Sequence, residues 1–216
     1  MTQKQGLEFT EHMPQNKPDS LVILLHGYGA DKNDLIGIAP HIAHALPNSV
    51  FVSPDAIYPC ETGFGRQWFS LQSMDTDSIY DGLKIAAPYI NNFIDTQMER
   101  FSLTPDRVAL LGFSQGSMLS MHIAPRRLEK IAGVVGFSGM LAGSHMLGDE
   151  IKTRPPFSLI HGDMDTVVDA EFLNLASNVL IENGCMVDTL LCPNLTHGID
   201  NEGLLTATAF LKKCFD

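Results

Sequence analysis

Leu111-Gly112-Phe113-Ser114-Gln115-Gly116-Ser117 is the stretch on which the reading of the chain turns. It carries the pattern Gly-x-Ser-x-Gly. Composition alone produces that pattern in about one chain in ten to twenty of this length, so its setting counts for more than its presence. Before it, Arg107-Val108-Ala109-Leu110-Leu111 is an apolar run of strand length. After it, residues 116–124 are rich in Met, Leu and Ala and are closed by Pro125. A buried strand that turns sharply into a helix pushes the Ser114 hydroxyl outward, with the free amides and positive dipole end of the helix beside it. Small residues at 112 and 116 let the two backbone segments pass closely.

Outward from this elbow, strand-like and helix-like segments alternate. Residues 21–25 are a continuous apolar run ending in His26-Gly27-Tyr28-Gly29-Ala30. Strands are expected at 49–53, at 131–137 before Ser138-Gly139, at 157–160 before His161-Gly162-Asp163-Met164-Asp165, and at 186–191 before a loop holding His197. Residues 7–11 read as a short edge strand. Helical spacing covers 31–46, where Pro40 should kink or split the helix, and also 170–182 and 201–214. Pro88 suits the first turn of a helix carrying Ile90, Phe93, Ile94, Met98 and Phe101. Residues 54–77 read as a long loop of the kind that forms lids or binding walls. The alternation predicts a parallel sheet with helices on both faces, and functional loops at the carboxyl ends of the strands. No repeat or linker interrupts it, so residues 1–216 are expected to form a single domain.

The chain has 216 residues, 44% of them hydrophobic and 18% charged, which is globular composition with enough length for a full core. A net charge of −11 argues against a nucleic-acid surface. Residues 1–8 lack the apolar core of a leader, and no run reaches the ~18 apolar residues of a span, so no stable membrane insertion is expected. Cys60, Cys185, Cys192 and Cys214 are scattered with no C-x-x-C pair. That suggests free thiols, a reducing compartment and a cytoplasmic location.

A serine hydroxyl needs a base in hydrogen-bond reach, and the base needs an orienting acid. On a strand–turn–helix elbow the expected order is Ser, then Asp or Glu, then His, each at a strand end; this is the α/β-hydrolase arrangement. His197, after the last strand and before Gly198, is the favoured base among eight histidines. His26 and His161 end strands before glycines and read as braces for the loops that follow. His41, His44 and His122 fall in helical segments, and His12 and His145 in loops. Asp165, followed by Thr166-Val167-Val168 that can anchor the loop, is favoured as the acid over Asp163, which sits at the tight turn. Two backbone amides should face the oxyanion. One is that of Gln115, and the other is that of Tyr28, with Gly27 the alternative. Ser138 also ends a Gly-Phe-Ser stretch but has no clear helix after it, so it should line the site or hold a loop. A metal site from His26, His161, Asp163, Asp165 and His197 would show no local ligand spacing and would leave Ser114 unexplained.

With Leu25-His26-Gly27-Tyr28-Gly29, Gly112-Phe113-Ser114-Gln115-Gly116, His161-Gly162-Asp163-Met164-Asp165 with Val167-Val168, and Thr196-His197-Gly198, the chain resembles the phospholipase/carboxylesterase family of α/β-hydrolases. That group includes acyl-protein thioesterases and small bacterial carboxylesterases. The likeness runs from about residue 21 to the end. It implies Ser114, Asp165 and His197 as the triad, the Tyr28 and Gln115 amides as the oxyanion hole, and no cofactor. Gly65-Arg66-Gln67-Trp68-Phe69 looks like the family's aromatic stretch beside the acyl pocket, which makes Trp68 and Phe69 candidate substrate-binding residues. The implied partner is an acyl ester or thioester, small or carried on a lipid or protein. Homodimer formation through an edge strand or the long loop is left open. The rival expectation is a non-catalytic hydrolase-fold protein that binds an acyl ligand or a partner.

Overall fold

In the computed structural model, residues 6–216 are described; residues 1–5, part of the stretch read above for a leader, lie outside the described residues. The apolar runs form the inner strands of one seven-stranded sheet. In chain order the strands of this sheet are β1 (Phe9–His12), β2 (Ser20–Leu25), β3 (Ser49–Pro54), β6 (Val108–Phe113), β7 (Gly133–Phe137), β8 (Phe157–Gly162) and β9 (Val187–Cys192). The spatial order is β1-β3-β2-β6-β7-β8-β9. Only β1 is antiparallel to its neighbour; β2 pairs parallel with β3 and β6, and β6, β7, β8 and β9 continue parallel. Leu21 to Leu25 of β2 are fully buried because helices cover both faces, and each such side chain contributes about 1.5–3 kcal/mol of burial.

One face carries α2 (Thr76–Phe101), α3 (Gln115–Ile123) and α5 (Glu171–Glu182), packed through Leu83, Ile90, Met118, Leu119, Leu173 and Leu180. The other carries α1 (Ala39–Ala43) and α6 (Asn201–Phe215), packed through Ile42, Ala207, Phe210 and Leu211. A short helix, α4 (Leu147–Glu150), follows the β7 loop. Pro40 does split the expected 31–46 helix: a 3-10 turn, Leu35–Ile38, precedes α1, and Pro40 sits in the first turn of α1.

Three expectations change. Pro88 lies inside α2 and does not begin it. The helix starts twelve residues earlier, where the Asp75 side chain accepts the Ser78 amide at 2.8 Å. The proline is tolerated because it lies on the exposed face, where the carbonyl of exposed Lys84 can meet water. The 54–77 segment is not structureless. It contains a small antiparallel ribbon, β4 (Tyr58–Pro59) and β5 (Arg66–Gln67). His12, read as a loop residue, ends β1.

Candidate active site

All the parallel strands end on the same side, so the loops after β2, β6, β8 and β9 gather there. Ser114 follows β6 with φ 52° and ψ −116°, a conformation that costs a non-glycine residue about 1–3 kcal/mol. The surroundings impose it. The Ser114 amide donates to the Phe137 carbonyl at 2.9 Å, and its carbonyl accepts the Met118 amide at 3.0 Å, opening α3. A Cβ at Gly116 would stand 1.9 Å from the Leu25 carbonyl oxygen, and one at Gly112 would stand 2.3 Å from the Gly116 carbonyl oxygen. Both positions therefore require glycine, as close passage of the two segments predicts.

The structure brings Asp165 and His197 together across 32 residues. His197 Nδ1 donates to Asp165 Oδ2 at 2.7 Å. Asp165 Oδ1 accepts the amides of Val167 at 2.9 Å and Val168 at 3.0 Å, so the Thr166-Val167-Val168 stretch wraps around the carboxylate. Burial works to raise the Asp165 carboxyl, but the His197 bond and the two amides outweigh it and hold it below the usual carboxylate range. Asp163 is exposed, and its amide closes the turn onto the Cys192 carbonyl. His161 is buried behind Asp165. Its Nε2 donates to the Val168 carbonyl at 2.9 Å and lies 3.3 Å from Asp165 Oδ2. The Phe113 ring, next to Ser114 in sequence, lies 4.8 Å from the His197 ring between centroids, which sets the imidazole beside the elbow.

Gly27 also abuts the serine: a Cβ there would lie 3.5 Å from Ser114 Cβ. The 27–30 turn is tied to β5 by Gly29 N to Arg66 O at 2.9 Å and Arg66 N to Ala30 O at 2.8 Å. Gly65 is required at that junction, because its φ is +70° and a Cβ would meet the Gly29 carbonyl oxygen at 1.9 Å. The Tyr28 hydroxyl is drawn to Cys60, which with burial pushes it up to about 12. Among the described residues the Tyr28 amide has no hydrogen-bond partner, and the Gln115 amide, first in α3, is an orphan of the helix start.

Trp68 is not at the surface of a pocket. It is fully buried, its indole N–H donates to the His26 carbonyl at 2.9 Å, and its ring packs on the His26 ring at 5.2 Å. Phe69 packs on α2 beside Gly82 and borders a groove of about 410 Å³ with Tyr58, Gln72 and Ile85. The residue that sequence reasoning used only for its backbone is Gln115. Its buried carboxamide accepts the Trp68 amide at 2.8 Å and donates to the Phe69 carbonyl at 2.8 Å. The only signal for this in the sequence is a carboxamide side chain at the first position of the helix after the elbow. Ser138 is buried with φ 48°, and its amide donates to the Ile160 carbonyl at 2.9 Å, so it holds neighbouring strand ends. His26 and His161 are the braces expected. His41, His44 and His145 are exposed, and His122 is buried in α3 away from these loops. Among the described residues no group of three or more His, Cys, Asp or Glu is placed to hold a metal ion, and all four cysteines are free.

A mostly parallel sheet between helical layers, with a strained serine elbow after its central strand, defines an α/β-hydrolase. The profile of the phospholipase/carboxylesterase family matches residues 9–215, and the chain belongs to that family. It is 26% identical to esterase YpfH of Escherichia coli over 204 residues, covering 94% of this chain and 87% of that one. It is 28% identical to acyl-protein thioesterase 1 of Aspergillus fumigatus over 221 residues, covering 91% and 88%. The crystal structure of esterase PE8 superposes with a TM-score of 0.93 at 33% identity, covering 97% of this chain and all of that one. The protein is thus a carboxylic ester hydrolase by family and fold.

Proposed function

We propose that the protein is a single-domain serine hydrolase that cleaves acyl esters or thioesters through an acyl-enzyme on Ser114. The observation that carries the reading is the Asp165–His197 hydrogen bond of 2.7 Å set beside the strained Ser114 elbow. His197 takes the hydroxyl proton as Ser114 Oγ attacks the acyl carbon. Asp165 holds the imidazole with its proton on Nδ1 and stabilises the imidazolium. The amides of Tyr28 and Gln115 receive the oxyanion. His197 then passes the proton to the departing alkoxide or thiolate. Water, deprotonated by the same imidazole, attacks the acyl-enzyme, and collapse of the second tetrahedral species frees the acid and restores Ser114. The groove bordered by Phe69, whose carbonyl is tied to the Gln115 side chain, is our candidate for the acyl chain. Four free cysteines support a reducing, cytoplasmic setting.

The test is kcat/KM on p-nitrophenyl esters from acetyl to palmitoyl, for wild type and Ser114→Ala. Turnover that disappears in Ser114→Ala while the protein stays folded is the expected result. A peak at short acyl chains assigns small esters as substrates. A rise toward long chains assigns lipid or acylated-protein substrates. Wild-type rates in Ser114→Ala would overturn the assignment. No turnover by folded wild type and no fluorophosphonate adduct on Ser114 would favour an acyl-binding protein.

A further inference from the structure

The two amides assigned to the oxyanion hole come from loops after different strands, β2 and β6. The ladder between those strands ends at the pair Leu25–Gly112, before either amide is reached. Donors must sit about 2.7–3.1 Å from the developing oxyanion, so something beyond the sheet has to fix their spacing. We propose that Gln115, Trp68 and His26 form one hydrogen-bonded chain that sets the distance and direction of the two oxyanion donors. This rests on the oxyanion assignment above.

The chain begins at the residue that supplies one donor. The Gln115 carboxamide grips the segment at residues 68 and 69 from both sides, accepting the Trp68 amide and donating to the Phe69 carbonyl, each at 2.8 Å. Trp68 passes the constraint on through its indole N–H, which holds the His26 carbonyl at 2.9 Å. That carbonyl belongs to the peptide unit entering Gly27. His26 completes the path. The Ala56 amide donates to His26 Nε2 at 3.1 Å, so Nε2 is an acceptor and the ring proton sits on Nδ1. Nδ1 donates to the Gly27 carbonyl at 2.7 Å. The Gly27 carbonyl and the Tyr28 amide share one planar peptide unit and point in opposite directions. Pinning the carbonyl therefore aims the Tyr28 N–H, and polarises it as well. These two bonds fix the tautomer, and burial keeps the ring neutral by pushing its protonation down. Gln115 is thus catalytic through its backbone and a positioning residue through its side chain; Trp68 and His26 are positioning residues.

Trp68 is the only tryptophan in the chain, so replacing tryptophan during biosynthesis with its benzothiophene analogue changes residue 68 alone. Sulfur then stands where the indole N–H was, with ring size and the His26 stack preserved. The second variant is Gln115→Met, which keeps the chain length but loses both bonds to residues 68 and 69. Active sites are counted with a fluorophosphonate. Both proteins are then assayed for kcat and KM on p-nitrophenyl butyrate, and for the affinity of a trifluoromethyl ketone that forms a hemiketal oxyanion with Ser114. The expected result is about a tenfold fall in kcat per titrated site, less than the 10²–10³ of a removed donor because the donor is displaced and not deleted. KM should stay within about twofold, and ketone affinity should weaken by about the same factor as kcat. A merely structural role would lower the titrated fraction and leave the surviving sites at wild-type kcat. That result overturns the proposal, and so does a fall in kcat with ketone affinity unchanged. If Ser114→Ala is inactive while both altered proteins behave as wild type, only the positioning chain fails. If Ser114→Ala keeps its activity, the underlying assignment fails first.

Discussion

Asp165→Asn tests the proposed acid with little change of shape. The two carboxylate oxygens serve different partners: Oδ1 takes the Val167 and Val168 amides, and Oδ2 takes His197 Nδ1, with His161 Nε2, bonded to the Val168 carbonyl, a longer 3.3 Å away. An asparagine must turn its NH₂ toward one of them. Facing the two backbone amides, it would lose two hydrogen bonds and oppose donor to donor. Facing His197, it keeps both amide bonds, so this is the expected orientation. His197 Nδ1 must then accept, which moves the ring proton to Nε2 and removes the lone pair needed for the Ser114 proton. The lost charge matters as well. A carboxylate about 4 Å from an imidazolium stabilises it by about 4 kcal/mol at an effective dielectric near 20, or about 10³-fold. With the wrong tautomer added, kcat/KM should fall by about 10⁴-fold. The assay is p-nitrophenyl butyrate hydrolysis at about pH 8, with Asp163→Asn as the control; that exposed position should stay within about twofold of wild type. The choice of pH does not confound the comparison. The folded carboxyl of Asp165 lies below its unfolded value near 3.9, so its stabilisation is full above about pH 4 and is lost only as pH falls through the lower folded value. Activity of Asp165→Asn within tenfold of wild type would refute the reasoning.

Gly65→Ala places a Cβ 1.9 Å from the Gly29 carbonyl oxygen at a φ of +70°, so it should displace the turn holding Tyr28. The expectation is a loss of about 1–3 kcal/mol in urea unfolding and a fall in kcat of about tenfold or more. Pro88→Ala restores an amide to the exposed face of α2 and should stabilise by about 1–3 kcal/mol, seen as a rise in Tm of several degrees. His122, pushed down to about 3 by burial and then by the Arg126 charge, stays neutral in the fold while the unfolded chain takes a proton near pH 6.5. Stability should therefore fall as pH drops from about 6.5 toward 3, by up to about 1.4 kcal/mol per pH unit, and His122→Met should flatten that slope in unfolding titrations at several pH values.

The elbow was legible because everything that defines it is local: an apolar run, two glycines that must be small, and a helix start within seven residues. The Ser–Asp–His order followed from strand ends, since a parallel sheet sends all those ends to one side. Asp165 was separable from Asp163 by its apolar followers, Val167 and Val168, whose amides do grip the carboxylate. What stayed hidden depends on partners far away in sequence. Trp68 is an aromatic residue in a glycine-rich loop, and nothing near it shows that its indole N–H will meet a carbonyl 42 residues back. Gln115 is likewise silent until the 68–69 segment lies beside it. Pro88 misled because its preference for helix starts is a local rule, whereas α2 is held by its buried face of Ile79, Leu83, Ala86 and Ile90. The Asp75 cap and the spacing of those four residues were the signal for the true start.

In the described sheet β9 has β8 as its one neighbour, while β2, β6 and β8 are each paired on both sides. The loop that carries His197 therefore hangs from an edge strand, which opens more readily than the strands paired on both sides. A refolding chain can assemble its centre and hold Ser114 in its strained turn while still lacking the proposed base, His197. Recovered turnover would then clock the arrival of the last strand and of α6 behind it. On heating the order should reverse, with the edge fraying first and hydrolysis lost while the interior strands are still intact.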